Sequence, residues 1–73
     1  MKIIRKTTTY GLVYVESEQY RVVAYAGGGY GRMIRQGPAL PWRLLRPGEE
    51  IPTEIEIALC DKAGLTPQPR EKR

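Results

Sequence analysis

Histidine is absent from these 73 residues, and cysteine and serine occur once each, as Cys60 and Ser17. Without histidine, the usual zinc ligand sets and the commonest general base are excluded, and no cofactor is expected. Ser17 sits between Glu16 and Glu18 with no histidine to activate it. Cys60 has no histidine partner either, and the acidic residues before it oppose thiolate formation, so it reads as a small core residue. A lone cysteine forms no internal disulfide, and without asparagine there is no N-glycosylation acceptor. The longest apolar run, residues 22–26, is far too short to cross a bilayer. The opening residues, Met1 to Leu12, lack the apolar centre of a signal peptide. A soluble protein of a reducing compartment is expected. A chain this short makes one small domain with a thin stability margin and little room for a substrate pocket. The carboxylate pairs Glu49/Glu50 and Glu54/Glu56 therefore read as a solvated acidic face. The expectation is a small basic binding protein, not an enzyme.

What is present is charge, unevenly placed. The net charge is +4, divided as +6 over residues 1–47, −4 over 48–65 and +2 over 66–73. The last eight residues carry Pro67 and Pro69 and no large apolar group. The organisation expected is a single domain over 1–65 with a disordered, basic, proline-containing tail over 66–73.

The fold expected is mainly β: a small twisted antiparallel sheet of three to four strands under a proline-rich covering segment. Tyr, Val and Leu fill residues 10–15 and 20–25 on either side of a polar break. With Ser17-Glu18 as the loop, Val13 faces Val22 and Val15 faces Tyr20 on one side of the hairpin. Leu12/Val23 and Tyr14/Arg21 lie on the other, with Arg21 over the Tyr14 ring. Residues 2–9 and 32–36 supply a first and a third strand. Pro38, Pro41, Pro47 and Pro52 make 37–52 irregular, with Trp42, Leu44 and Leu45 covering the sheet. Over 53–65, alternation of Ile55, Ile57 and Leu59 with Glu54 and Glu56 favours a strand. Thr53 with Glu56 at capping-box spacing, and Gly64, give the alternative of one short C-terminal helix in an α+β fold.

The glycines at 27, 28, 29 and 31 match neither a dinucleotide fingerprint nor a phosphate loop, because Arg32 and Met33 stand where those motifs need other residues. A hairpin loop, or a backbone surface close to a partner, is what remains. Tyr10, Tyr14, Tyr25 and Tyr30 with Arg21, Arg32 and Arg35 could stack bases and meet phosphates. A protein partner suits the mixed charge better, since it can offer both signs. The candidate binding residues are Arg5, Lys6, Arg32 and Arg35 for charge, with Tyr30 or Trp42 as aromatic anchor. Trp42 also suits a core position.

The chain resembles the small RNA polymerase-binding transcription regulators of lytic Xanthomonas phages. The likeness lies in its length, its basic Met1-Lys2-Ile3-Ile4-Arg5-Lys6 start leading into Tyr-Val strands, and its Pro-rich basic tail. The resemblance implies binding to the large subunits of host RNA polymerase near the RNA exit channel, in the host cytoplasm. It implies antitermination by blocking the terminator hairpin, and inhibition of host initiation. Nascent RNA and elongation factors would be further contacts, with no membrane and no small-molecule substrate. A phage inhibitor of a host defence complex, of the anti-CRISPR type, and a small RNA-binding module are the competing expectations.

Overall fold

The computed structural model describes residues 2–68. The fold is mainly β: a five-stranded antiparallel sheet in the order β1-β2-β3-β4-β5, with one helix, α1, packed on one face. The strands are β1 (Ile4–Thr7), β2 (Val13–Glu16), β3 (Tyr20–Ala24), β4 (Tyr30–Ile34) and β5 (Arg43–Leu44); α1 is Thr53–Ala63. Each strand pairs with the next in sequence, so the topology is a meander with local contacts.

The central hairpin has the strands expected and a different register. Val15 pairs with Val22 and Tyr14 with Val23, two residues away from the expected pairing. Ser17 explains the shift. Its N–H donates to the Tyr20 carbonyl at 2.8 Å, and its Oγ accepts from Tyr20 N–H at 3.3 Å. The loop is thereby set at Glu18-Gln19. Because side chains alternate with period two, a shift of two leaves every residue on its expected face. The next loop, after β3, uses Gly28 (φ 104°) and Gly29 (φ 73°) in backbone that other residues rarely adopt. That settles the glycine cluster as a hairpin loop, closed by Tyr25 N–H donating to the Gly29 carbonyl at 3.0 Å.

Two elements differ from expectation. Residues 43–44 form a fifth strand on β4 inside the stretch read as irregular. Pro41 and Pro47 flank this short pairing without interrupting it, and Leu45 N–H extends it to the Arg32 carbonyl at 3.3 Å. Residues 53–63 form a helix, not the strand favoured by alternation. Ile55, Leu59 and Ala63 recur every four residues and pack on the core, while Ile57, which a strand would bury with them, is 50% exposed. Glu54 and Glu56 lie in the first turn and Lys62 in the last, each favourable with the helix dipole. The helix stops at Gly64 (φ 74°), where Leu65 N–H reaches back to the Cys60 carbonyl at 2.8 Å.

The core lies between sheet and helix. Val15, Val22, Tyr30, Ile51, Leu59 and Cys60 are buried, with Ile3, Val13, Tyr20, Leu45, Ile55, Ala63 and Leu65 packed around them. The chain remains attached to the sheet beyond Leu65. Gln68 Nε2 donates to the Tyr30 carbonyl at 3.2 Å, and its Oε1 accepts from Tyr30 N–H at 3.3 Å. The sequence reading of a disordered tail over 66–73 differs at Gln68, which this amide pair binds to β4; residues 69–73 lie outside the described residues.

Candidate partner-binding surface

Strand alternation divides the sheet into two unlike faces. Val15, Val22 and Arg32 share the face under α1; Tyr14, Val23 and Gly31 share the other, as do Glu16, Arg21, Met33 and Leu44. The second face has no helix on it. It carries a stack of cations and rings. The Arg21 guanidinium lies 4.8 Å from the centre of the Tyr14 ring and 4.3 Å from that of Trp42, and Arg35 lies 4.5 Å from Trp42. Each such contact contributes about 0.5–1 kcal/mol at an exposed site.

Both guanidinium groups are also fixed from the side. Arg21 Nη2 and Nε donate to Glu16 Oε1 at 2.7 and 3.1 Å. Arg35 Nε donates to the Glu18 carbonyl at 2.8 Å and Nη1 to the Pro38 carbonyl at 3.1 Å. Long side chains that are already ordered lose less entropy when a partner engages them. Nearby, Tyr25 is 52% exposed, and its ring lies over Gly31 so closely that a Cβ at that glycine would collide with it.

The face under the helix holds a second arginine–tyrosine pair in a buried setting. Glu56 is only 2% exposed and Tyr30 only 4%. The Tyr30 hydroxyl donates a hydrogen bond to Glu56 Oε2, and Arg32 Nε donates to the same oxygen at 2.9 Å. Gln68 N–H donates back to the Tyr30 hydroxyl at 2.9 Å. Burial, together with the Cys60 thiol and the Glu56 carboxylate, holds the Tyr30 hydroxyl well above the ordinary tyrosine range. The bond to Glu56 raises the Arg32 value, and burial pushes the Cys60 thiol up. Cys60 is thus the buried core residue its sequence context suggested.

The carboxylate pairs are not simply a solvated face. Glu56 is buried in the ion pair with Arg32. Glu49 takes both Arg43 Nη1 and Nη2 at 2.7 Å and accepts from Arg46 N–H at 2.6 Å. The Arg43 hydrogen bonds hold the Glu49 carboxyl down to about 2.

The six residues singled out from sequence therefore separate. Arg5 and Lys6 stand exposed on β1, while Arg35 and Trp42 belong to the stack on the uncovered face. Tyr30 is turned inward and buried, which corrects its assignment as an exposed anchor, while Arg32, its side chain 26% exposed, is tied to Glu56: β4 alternation places both on the helix face. Trp42 lies over the sheet as the sequence suggests, stacked on Arg21, whereas Leu44, read as covering the sheet with it, is 61% exposed. Among the described residues, no group of three or more His, Cys, Asp or Glu side chains is arranged to hold a metal ion, and no helix is long and apolar enough to cross a membrane. No protein-family model matches the chain, and no match emerges among curated proteins or solved structures.

Proposed function

We propose that this chain is a phage regulator that works by binding, not catalysis. It lodges on the large subunits of the host's RNA polymerase near the RNA exit channel, in the host cytoplasm. There it promotes antitermination by keeping the terminator hairpin from forming, and it inhibits initiation at host promoters. The observation that carries the binding role is the stack of Tyr14, Arg21, Trp42 and Arg35, ordered by internal bonds and, among the described residues, left without a covering element. Arginine and tryptophan held in this way are the residue types that dominate protein interfaces. The particular partner is supported by the resemblance described above, in length, basic start and tail. The exposed cations Arg5 and Lys6 on β1 would speed arrival at a polymerase surface of opposite charge.

Affinity capture from host lysate tests the reading. The wild-type chain is expected to retain the polymerase large subunits, and Trp42→Ala to weaken that capture by about 1–2 kcal/mol, roughly five- to thirtyfold. Read-through of a terminator by purified polymerase should fall in parallel. Retention of a nuclease complex instead of polymerase overturns the proposal in favour of a defence inhibitor. Salt-sensitive binding of purified RNA without any protein overturns it in favour of an RNA-binding module.

A further inference from the structure

The two edges of the sheet are built differently. β5 is two residues long and lies between Pro41 and Pro47, and its Arg43 is engaged by Glu49. Short strands and flanking prolines close an edge to further pairing. β1 has neither device. Residues 2–10 contain no proline and no glycine, and among the described residues β1 pairs only with β2. An antiparallel edge strand directs part of its N–H and C=O groups away from its one neighbour. Among the described residues, helix α1 packs mainly over β2 and β3, away from this edge.

The strand is also held extended at both ends. Lys2 N–H donates to Glu18 Oε2 at 3.3 Å. At the other end, Thr8 N–H donates to the Leu12 carbonyl at 2.7 Å, and Leu12 N–H to Thr8 Oγ1 at 3.0 Å. A strand ordered in advance adds little entropic cost to pairing.

We propose that the outer edge of β1 accepts an extended acidic segment of a protein partner as an additional strand. Main-chain hydrogen bonds supply the attachment and the cations supply the selection. Arg5 shares the face of Val15 and Lys6 that of Tyr14. Two adjacent carboxylates on an incoming strand therefore meet one cation each, with Lys2 at the end of the row. The same charges keep a second copy of this chain away, because β1 against β1 sets like charges opposite one another. The inference rests on the protein-binding reading above but not on polymerase being the protein.

The probe is a short capped peptide with two adjacent glutamates among valines and threonines, titrated into the isotope-labelled full chain. Slower amide exchange confined to β1, with cross-peaks between peptide backbone and residues 4–7, is the expected result. N-methylation of the peptide at alternate amides keeps its charge and removes its donors; it should weaken binding about tenfold. Arg5→Glu with Lys6→Glu should transfer the preference to the lysine version of the peptide. Equal affinity for the N-methylated peptide, perturbation centred away from β1, or a concentration-dependent dimer through β1 each overturns the proposal. A chain that captures polymerase but ignores the peptide overturns the strand-edge inference alone. Peptide binding without polymerase capture overturns only the polymerase reading.

Discussion

Arginine meets tyrosine on both faces of this sheet, and the two meetings serve opposite ends. On the uncovered face Arg21 lies 4.8 Å from the Tyr14 ring centre, with Glu16, its side chain 14% exposed, beside it. Under the helix Arg32 lies 5.4 Å from the Tyr30 ring centre, with Glu56 almost fully buried against both. The residue types are the same: one arginine, one tyrosine, one glutamate. What differs is the neighbour that covers them. Under α1 the Glu56 carboxylate and the Tyr30 hydroxyl are sealed while Arg32 stays 26% exposed, so the trio is an internal joint closed at its acceptor and open at its guanidinium. On the other face, among the described residues, only Trp42 lies over the trio, and the loss of a carboxylate that keeps 14% of its side-chain surface exposed is one the fold tolerates better.

The largest effect expected from this contrast is on stability. Glu56→Ala removes the acceptor shared by Tyr30 and Arg32 and should cost about 3–5 kcal/mol in chemical denaturation. That is comparable to the whole stability of a domain this size. Loss of less than about 1 kcal/mol would mean that water reaches the joint and that the two trios are alike. Next comes Tyr30→Phe, which deprives Glu56 of a donor and Gln68 N–H of its acceptor. A loss of about 1–3 kcal/mol is expected. The same variant tests the acid–base behaviour. The Tyr30 hydroxyl titrates higher when folded than the unfolded value of about 10. Its contribution is therefore complete below that pH and declines as pH rises above it. The wild-type melting temperature should fall across that alkaline range, and Tyr30→Phe should flatten the fall.

Smaller stability effects belong to the uncovered face. Trp42→Ala, expected to weaken partner capture, should lower stability by less than a core truncation such as Leu59→Ala, for which about 2–5 kcal/mol is expected. Glu16→Gln leaves Arg21 stacked on two rings and should change stability by about 0.5 kcal/mol or less. A Glu16→Gln loss as large as that of Glu56→Ala would erase the distinction between the faces.

The sequence is informative where alternation is strong. Val13, Val15, Tyr20 and Val22 on one face, and Tyr14, Arg21 and Val23 on the other, follow from alternation alone. The partition survives the register shift because the shift is even. The register itself depends on hydrogen bonds from Ser17, a residue type common in turns of many kinds. Residues 53–63 mislead because Ile55, Ile57 and Leu59 satisfy a strand pattern as well as most of a helical one. The residue that decides between them is Glu56, which is buried only because Tyr30 and Arg32, distant in sequence, receive it. Local pattern cannot register such a partner. For the same reason Tyr30 and Arg32 resemble surface residues in the sequence, and Gln68 resembles part of a free tail.

Helix α1 supplies no residue to the stack of Tyr14, Arg21, Trp42 and Arg35, yet the sheet on which that stack is mounted has its core completed by Leu59 and Cys60 of the helix. Folding and presentation are thus thermodynamically linked across the thickness of the sheet. A partner that engages Trp42 only in the folded state stabilises the chain in proportion to the logarithm of its concentration over the dissociation constant. A substitution at Leu59, on the far side from any partner, would register in a capture assay as weakened binding because it lowers the fraction of molecules that have a surface to offer.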